Sequence, residues 1–174
     1  AVTNAIAMIQ YLSGFAICHA VTTVIARCVG AGDYKQAVYY TKKLIMMTYI
    51  SLWVINILVF LGLPLLLDWY HLSPQTEEIT RQIVLIHGVV LMLIWPFSFT
   101  MPAVFRATGD AKYCMVISIA SMWIFRIGFS YVLGQYFEMG VLGIWVAMLI
   151  DWAFRALCFV IRYAKGKWKK AAVV

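Results

Sequence analysis

Arg126, Asp151 and Arg155 each fall inside a long apolar run. Charge at bilayer depth costs about 2.5–3.5 kcal/mol on insertion scales, so it is kept where it pairs or works. Asp151 and Arg155 are four residues apart, which places them on one helix face. Gly143, Ala147, Asp151 and Arg155 continue that spacing as a stripe, and its small residues predict close approach to another helix. At about 1.5 Å per residue, Asp151 lies roughly 16 Å into its run and Arg126 roughly 10 Å from the end of the run before it. An Arg126–Asp151 pair between antiparallel neighbours is therefore within reach. Three chemistries fit: a buried ion-pair brace, direct handling of substrate or protons, and snorkelling of Arg155 to an interface. The brace is the reading adopted.

A second group of residues suits binding. His87, Gly88, Trp95, Pro96 and Pro102 share one run. Two prolines predict a bent or broken helix, a form that lines substrate paths in transporters or simply kinks a structural helix. His87 lies near the end of that run, where a solvated imidazole is expected. The first run carries Asn4, Gln10, Tyr11, Ser13, Gly14 and His19. Gln10, Ser13 and Gly14 fall near one face, which should meet protein or a water-filled space rather than lipid. Tyr11 and Phe15, four apart, suit an aromatic wall for a flat or cationic ligand, and equally suit plain helix packing.

Enzyme signatures are absent from the sequence: there is no HExxH, no GxSxG and no Gly-rich loop ending in Lys-Ser or Lys-Thr. The reading is not an enzyme. Cys18, Cys28, Cys114 and Cys158 show no CxxC spacing, so free thiols and no metal are expected.

The elements that position these residues are membrane spans. The chain is 64% hydrophobic and 12% charged, far from a soluble domain, and its mean hydropathy is +0.89. Five continuous runs, 4–26, 44–67, 82–105, 113–133 and 140–162, predict five transmembrane helices and an all-α polytopic bundle. Continuous rather than alternating hydrophobicity excludes a strand barrel. The net charge of +7 does not signal nucleic acid, because eleven of the fourteen basic residues flank spans on one side. They lie in the first and third loops and in a basic tail over 163–174 with its flank at Arg162. The positive-inside rule makes those segments cytoplasmic.

Two of those loops echo each other. Gly32-Asp33-Tyr34-Lys35 and Gly109-Asp110-Ala111-Lys112 are 77 residues apart and share Gly-Asp-x-Lys. Glycine can end one helix in a left-handed conformation and Asp can cap the next, so each predicts a helical hairpin, and the repeat hints at internal duplication.

These turns, Val29-Gly30-Ala31-Gly32-Asp33 with Ala37 and Phe105-Arg106-Ala107-Thr108-Gly109-Asp110, resemble turns of the multidrug and toxic compound extrusion (MATE) family. The final run resembles the last helix of bacterial members through Gly140, Gly143, Trp145, Asp151-Trp152, Arg155-Ala156, Arg162 and Gly166-Lys167-Trp168. The resemblance implies twelve helices in two lobes. The five spans would be the eighth to twelfth, and a first lobe of the same chain would lie upstream, as the absence of an initial Met also suggests. It implies efflux of cationic or amphipathic organic compounds by antiport with sodium ions or protons. A lipid-linked or polysaccharide flippase of the same superfamily is the alternative within transport, and a non-transporting structural subunit the alternative outside it. In one subgroup a coupling carboxylate sits about eleven residues before the arginine of the tenth-helix turn. Counting back from Arg106 reaches Trp95, so that ion site is not carried over, and the coupling-ion site is expected outside these spans. Tyr11, Phe15, His19, Leu91, Trp95 and Phe99 are expected to face the substrate cavity.

Overall fold

The computed structural model describes residues 2–138, 140–166 and 168. Among the described residues, five helices are long and apolar enough to cross a membrane: α1 (Val2–Gly30), α2 (Tyr34–Trp69), α3 (Pro74–Ala107), α4 (Ala111–Tyr136) and α5 (Gly140–Ala164). No strand occurs among the described residues. The protein is an all-α multi-pass membrane bundle. Its helices overrun the predicted spans, most of all α2, which begins at Tyr34 rather than near Leu44, and α3, which begins at Pro74 rather than near Gln82. Hydropathy marks the edge of the hydrocarbon, whereas good helix formers such as Lys35, Gln36, Glu77 and Arg81 carry the helix past it. Arg81 and Glu77 even pair along the surface at 3.2 Å.

Both glycine turns close in the same way. Gly32 has φ +74° and Gly109 has φ +83°, the left-handed backbone that glycine adopts without a Cβ clash. In the first, the Gly32 N–H donates to Val29 O and the Asp33 N–H to Cys28 O; in the second, Gly109 donates to Arg106 O and Asp110 to Phe105 O. Each is the Schellman pattern that satisfies the last carbonyls of a helix. The aspartates then diverge. Asp33 caps α2 by accepting from the Gln36 N–H at 2.9 Å. Asp110 makes no such cap; it instead accepts Nε and Nη2 of Arg162 at 2.8 and 2.9 Å. This bidentate bridge ties the start of α4 to the end of α5.

Pro96 reshapes α3 without breaking it. The turn Pro96–Thr100 is π-helical, with the Met101 N–H donating to Pro96 O. Proline has no N–H for the carbonyl one turn earlier, Met92 O. Trp53 Nε1 of α2 donates to that carbonyl at 3.2 Å, and the Tyr49 hydroxyl donates to Leu93 O at 2.8 Å. Side chains of a neighbouring helix thus satisfy backbone that lipid could not. In α4, Met122–Phe129 and Val132–Tyr136 are also π-helical, which no proline or pattern in the sequence announced.

The core sits where α1, α2, α3 and α5 meet, around Val21, Ile25, Leu52, Leu91, Trp95, Val104 and Trp152. A second cluster, with Phe105, Phe159 and Trp168, closes the end that carries the glycine turns. The α5 stripe packs as its spacing predicted: Gly143, Ala147 and Asp151 are buried, and Gly143 lies against the backbone of Leu133 and Gly134 in α4. Of the predicted basic tail, Lys167, Lys169, Lys170 and 171–174 lie outside the described residues; Trp168 stacks on Tyr163 at 5.3 Å and 3°. The four cysteines are free thiols.

Candidate functional site

Two adjoining cavities run along the seam of α1, α3, α4 and α5. The first, about 370 Å³, is walled by Asn4, Met8, Tyr11 and Phe15 of α1, His87, Trp95 and Phe99 of α3, Arg126 of α4, and Trp145, Met148 and Trp152 of α5. The second, about 350 Å³, lies toward the glycine turns, between Cys18, His19 and Thr22 of α1, Ser98, Pro102 and Arg106 of α3, Ser118 of α4 and Arg155 of α5. Phe15 and Phe99 wall both, so the two form one groove.

The groove is built on an aromatic lattice. Trp95 stacks on Phe99 at 5.0 Å and 17°, and Phe15 meets Trp95 edge-on at 5.4 Å. Trp152 stands edge-on to Phe99 at 5.2 Å, and Tyr11 edge-on to Phe15 at 5.3 Å. Gly14 makes the α1–α3 approach possible, because the Trp95 indole occupies the space its Cβ would take.

His87 departs from expectation. It is buried, not solvated: Nδ1 lies 2.8 Å from Gln10 Oε1, and the ring sits 5.2 Å from Trp145 and 5.4 Å from Trp152. The reason lies on α1, whose Gln10 turns inward and also donates to Val84 O. The polar face of the first run therefore meets protein, as its composition required.

The charge brace is also redrawn. Arg155 Nη2 holds Asp151 Oδ2 at 2.8 Å, the intrahelical pair that the spacing allowed. The Arg126–Asp151 pair is not made: Arg126 Nη2 donates to Met148 Sδ at 3.5 Å and faces the first cavity. Arg155, one turn along the same helix, reaches the carboxylate without crossing between helices. The brace between α4 and α5 is the Asp110–Arg162 bridge, reinforced by Arg162 Cζ 4.3 Å from the Tyr113 ring centroid.

Of the residues expected in the cavity, Tyr11, Phe15, Trp95 and Phe99 come together in the first chamber and His19 lies in the second. Leu91 does not join them; it is fully buried in the core and lines neither chamber. Its aliphatic side chain packs instead into the apolar cluster with Val21, Leu52 and Val104, which buries it away from both chambers. Sequence reasoning did not place Trp145, Met148, Trp152, Ser98 or Arg106 there. Trp145 and Trp152 are seven apart on α5, a helical repeat that signals a shared face. Among the described residues, no three His, Cys, Asp or Glu side chains converge as metal ligands.

A protein-family profile described as MatE matches residues 1–132. A probable multidrug resistance protein NorM of Thermotoga maritima is 28% identical over 166 residues, which cover 95% of this chain and 36% of the relative. A probable multidrug resistance protein YoeA of Bacillus subtilis is 24% identical over 177 residues, covering 99% and 37%. Multidrug and toxin extrusion protein 1 of Pongo abelii is 23% identical over 168 residues, covering 95% and 29%. The chain thus spans between 29% and 37% of the length of these relatives. No solved structure matches it.

Proposed function

Because this chain belongs to the MatE family, we propose that its five helices form part of a secondary transporter that expels amphipathic organic compounds by alternating access. The similarity to relatives named for multidrug resistance supports this reading, and the aromatic groove carries it. Tyr11, Phe15, Phe99 and Trp145 offer aromatic surface, backed by the buried Trp95 and Trp152, in a chamber of about 370 Å³, the scale of a small-molecule site. The rest of the cavity would come from a first lobe of the same chain. The turns at Gly32 and Gly109, with their lysines, would face the cytoplasm, and the protein would reside in the cell membrane. Antiport would draw on sodium ions or protons at a site outside these helices. Asp151 serves in this reading as the partner of Arg155, not as the coupling acid.

Efflux of a fluorescent dye from cells lacking their own pumps tests the proposal. Trp95→Ala is an ambiguous probe, because truncating a buried aromatic typically destabilises by about 3–5 kcal/mol. Tyr11 is only half-buried, so Tyr11→Ala in the full-length transporter should lower efflux at unchanged membrane abundance. Wild-type efflux by this variant would remove the groove from the transport path. Failure of the full-length protein to move any dye would favour a structural subunit.

A further inference from the structure

A lateral crevice of about 420 Å³ opens between α2 and α5, with α3 as its floor. Both outer helices pack on the π turn Pro96–Thr100, and the crevice is the gap left between them. Ile45, Met46 and Tyr49 of α2, Phe97 of α3, and Val160 and Ala164 of α5 give it apolar walls, and each of these side chains keeps some exposed surface. The Tyr49 hydroxyl donates to Leu93 O at 2.8 Å and Thr41 Oγ to Ala37 O at 2.7 Å, so neither is offered to the crevice. The Tyr163 hydroxyl is shut off from the surface.

The crevice has a direction. Lys42 stands at one end. Tyr49 and Phe97, edge-on at 5.8 Å, close the other, about 10 Å further along α2 at 1.5 Å per residue. Hydropathy puts the edge of the hydrocarbon near Leu44 and Arg162, so Lys42 and Ala164 lie at the membrane surface and Ile45, Tyr49 and Val160 below it. Among the described residues, no carboxylate lines the crevice and Lys42 makes no ion pair. The two acids of the glycine turns at this end are already engaged, Asp33 with the Gln36 N–H and Asp110 with Arg162. An apolar trough that ends at a free ammonium on the membrane surface has the polarity of a phospholipid with an anionic head group.

We propose that this crevice is a site for an anionic phospholipid of the leaflet at the glycine turns, with an acyl chain along Ile45, Tyr49, Phe97 and Val160 and its phosphate against Lys42. The acyl chain supplies fit rather than preference, because a tail leaves other tails to enter the crevice and gains only packing contacts. The head group supplies the preference, because a lysine at the surface attracts a lipid of net negative charge over a zwitterionic one. Phe97 and Phe99 leave the same π turn, one for the crevice and the other for the groove, so the lipid lies against the turn that also shapes the groove. The site requires only that these helices cross a membrane, not that the groove carries substrate.

Photolabelling of the full-length transporter in phosphatidylcholine vesicles tests it. The probes are phosphatidylglycerol and phosphatidylcholine with the same diazirine-bearing acyl chain, added in equal trace amounts, and mass spectrometry locates the adducts. Tyr49 and Phe97 should take up the phosphatidylglycerol label about fivefold more than the phosphatidylcholine label, the scale of one lysine at an anionic lipid. Lys42→Gln should bring the phosphatidylglycerol label down to the phosphatidylcholine level. Lys112→Gln, on α4 outside the crevice, removes the same charge and should leave the preference unchanged. Ala164→Phe, at an exposed position, should fill the surface end of the crevice and abolish both labels at Tyr49 and Phe97. Leu61 and Leu65, 76% and 74% exposed on α2, should then stay labelled as before. Equal labelling of Tyr49 and Phe97 by the two lipids in the wild type overturns the proposal, as bulk lipid alone gives that result. A preference that survives Lys42→Gln, or labels that survive Ala164→Phe, overturn it too. So does the absence of both labels from the wild-type crevice, the outcome if another helix of the transporter covers it.

Discussion

Gly14→Ala places a methyl group where α1 crosses α3. The added Cβ would lie 2.5 Å from both Cη2 and Cζ3 of Trp95 and 3.2 Å from Cε3. Ordinary carbon contacts are about 3.5–4.0 Å, so the indole must retreat by about 1 Å. It is 1% exposed, stacked on Phe99 and edge-on to Phe15, so retreat breaks that lattice or fills the chamber. Two effects compete. Alanine stabilises a helix interior by roughly 0.5–1 kcal/mol over glycine, whereas overpacking typically destabilises by about 1–3 kcal/mol. The clash should win, with a net loss of about 0.5–2 kcal/mol. Trp95→Phe shortens the ring and withdraws the two closest atoms. In that background Gly14→Ala should be neutral or stabilising, giving a coupling of about 1–3 kcal/mol against the roughly 0.3–0.5 kcal/mol scatter of independent sites. Unfolding of the full-length transporter in mixed detergent and SDS, followed by circular dichroism, measures all four corners of the cycle. Additive effects, or a Gly14→Ala that stabilises in both backgrounds, would refute this helix crossing.

The other contacts yield sharper contrasts. Gly143→Ala puts its Cβ 2.8 Å from C and O of Leu133; because these are backbone atoms, Leu133→Ala should not rescue the loss in the same unfolding assay. Arg162→Ala leaves Asp110, 7% exposed, without its partner and should destabilise by about 1–3 kcal/mol, with the Asp110→Arg/Arg162→Asp exchange recovering part of it. An unchanged unfolding midpoint would disprove the bridge. His87→Phe should destabilise by about 1–3 kcal/mol by stranding Gln10, while His87→Phe with Gln10→Leu should come close to wild type; a double variant as weak as the single one would show that the polar pair is not the cause. A cysteine introduced at Lys112 should react with an impermeant thiol reagent in inside-out vesicles and not in whole cells, and the opposite pattern would invert the proposed topology.

Much of this molecule was legible in one dimension because lipid imposes a one-dimensional rule. A segment that crosses hydrocarbon must be apolar and must satisfy its own backbone, so the five helices and both glycine hairpins could be read from composition and local chemistry. The Asp151–Arg155 pair was legible for the same reason: i, i+4 spacing needs no knowledge of the fold. So was the inward face of α1, since Gln10 and Ser13 could not face lipid.

Everything that depends on a second helix had to wait for the structure. Gly32-Asp33 and Gly109-Asp110 read alike, yet one aspartate caps its helix and the other binds Arg162, because only Asp110 meets a guanidinium brought from 52 residues away. His87 looked solvated until Gln10 and two tryptophans enclosed it. Pro96 announced a disturbance in α3 but not its remedy, which Tyr49 and Trp53 provide from α2. The sequence by itself determined which segments enter the membrane and which residues are too polar to face lipid. The tertiary structure decided which of those residues meet, and so assembled the aromatic groove from four helices, because the neighbours at a site are set in space and not along the chain.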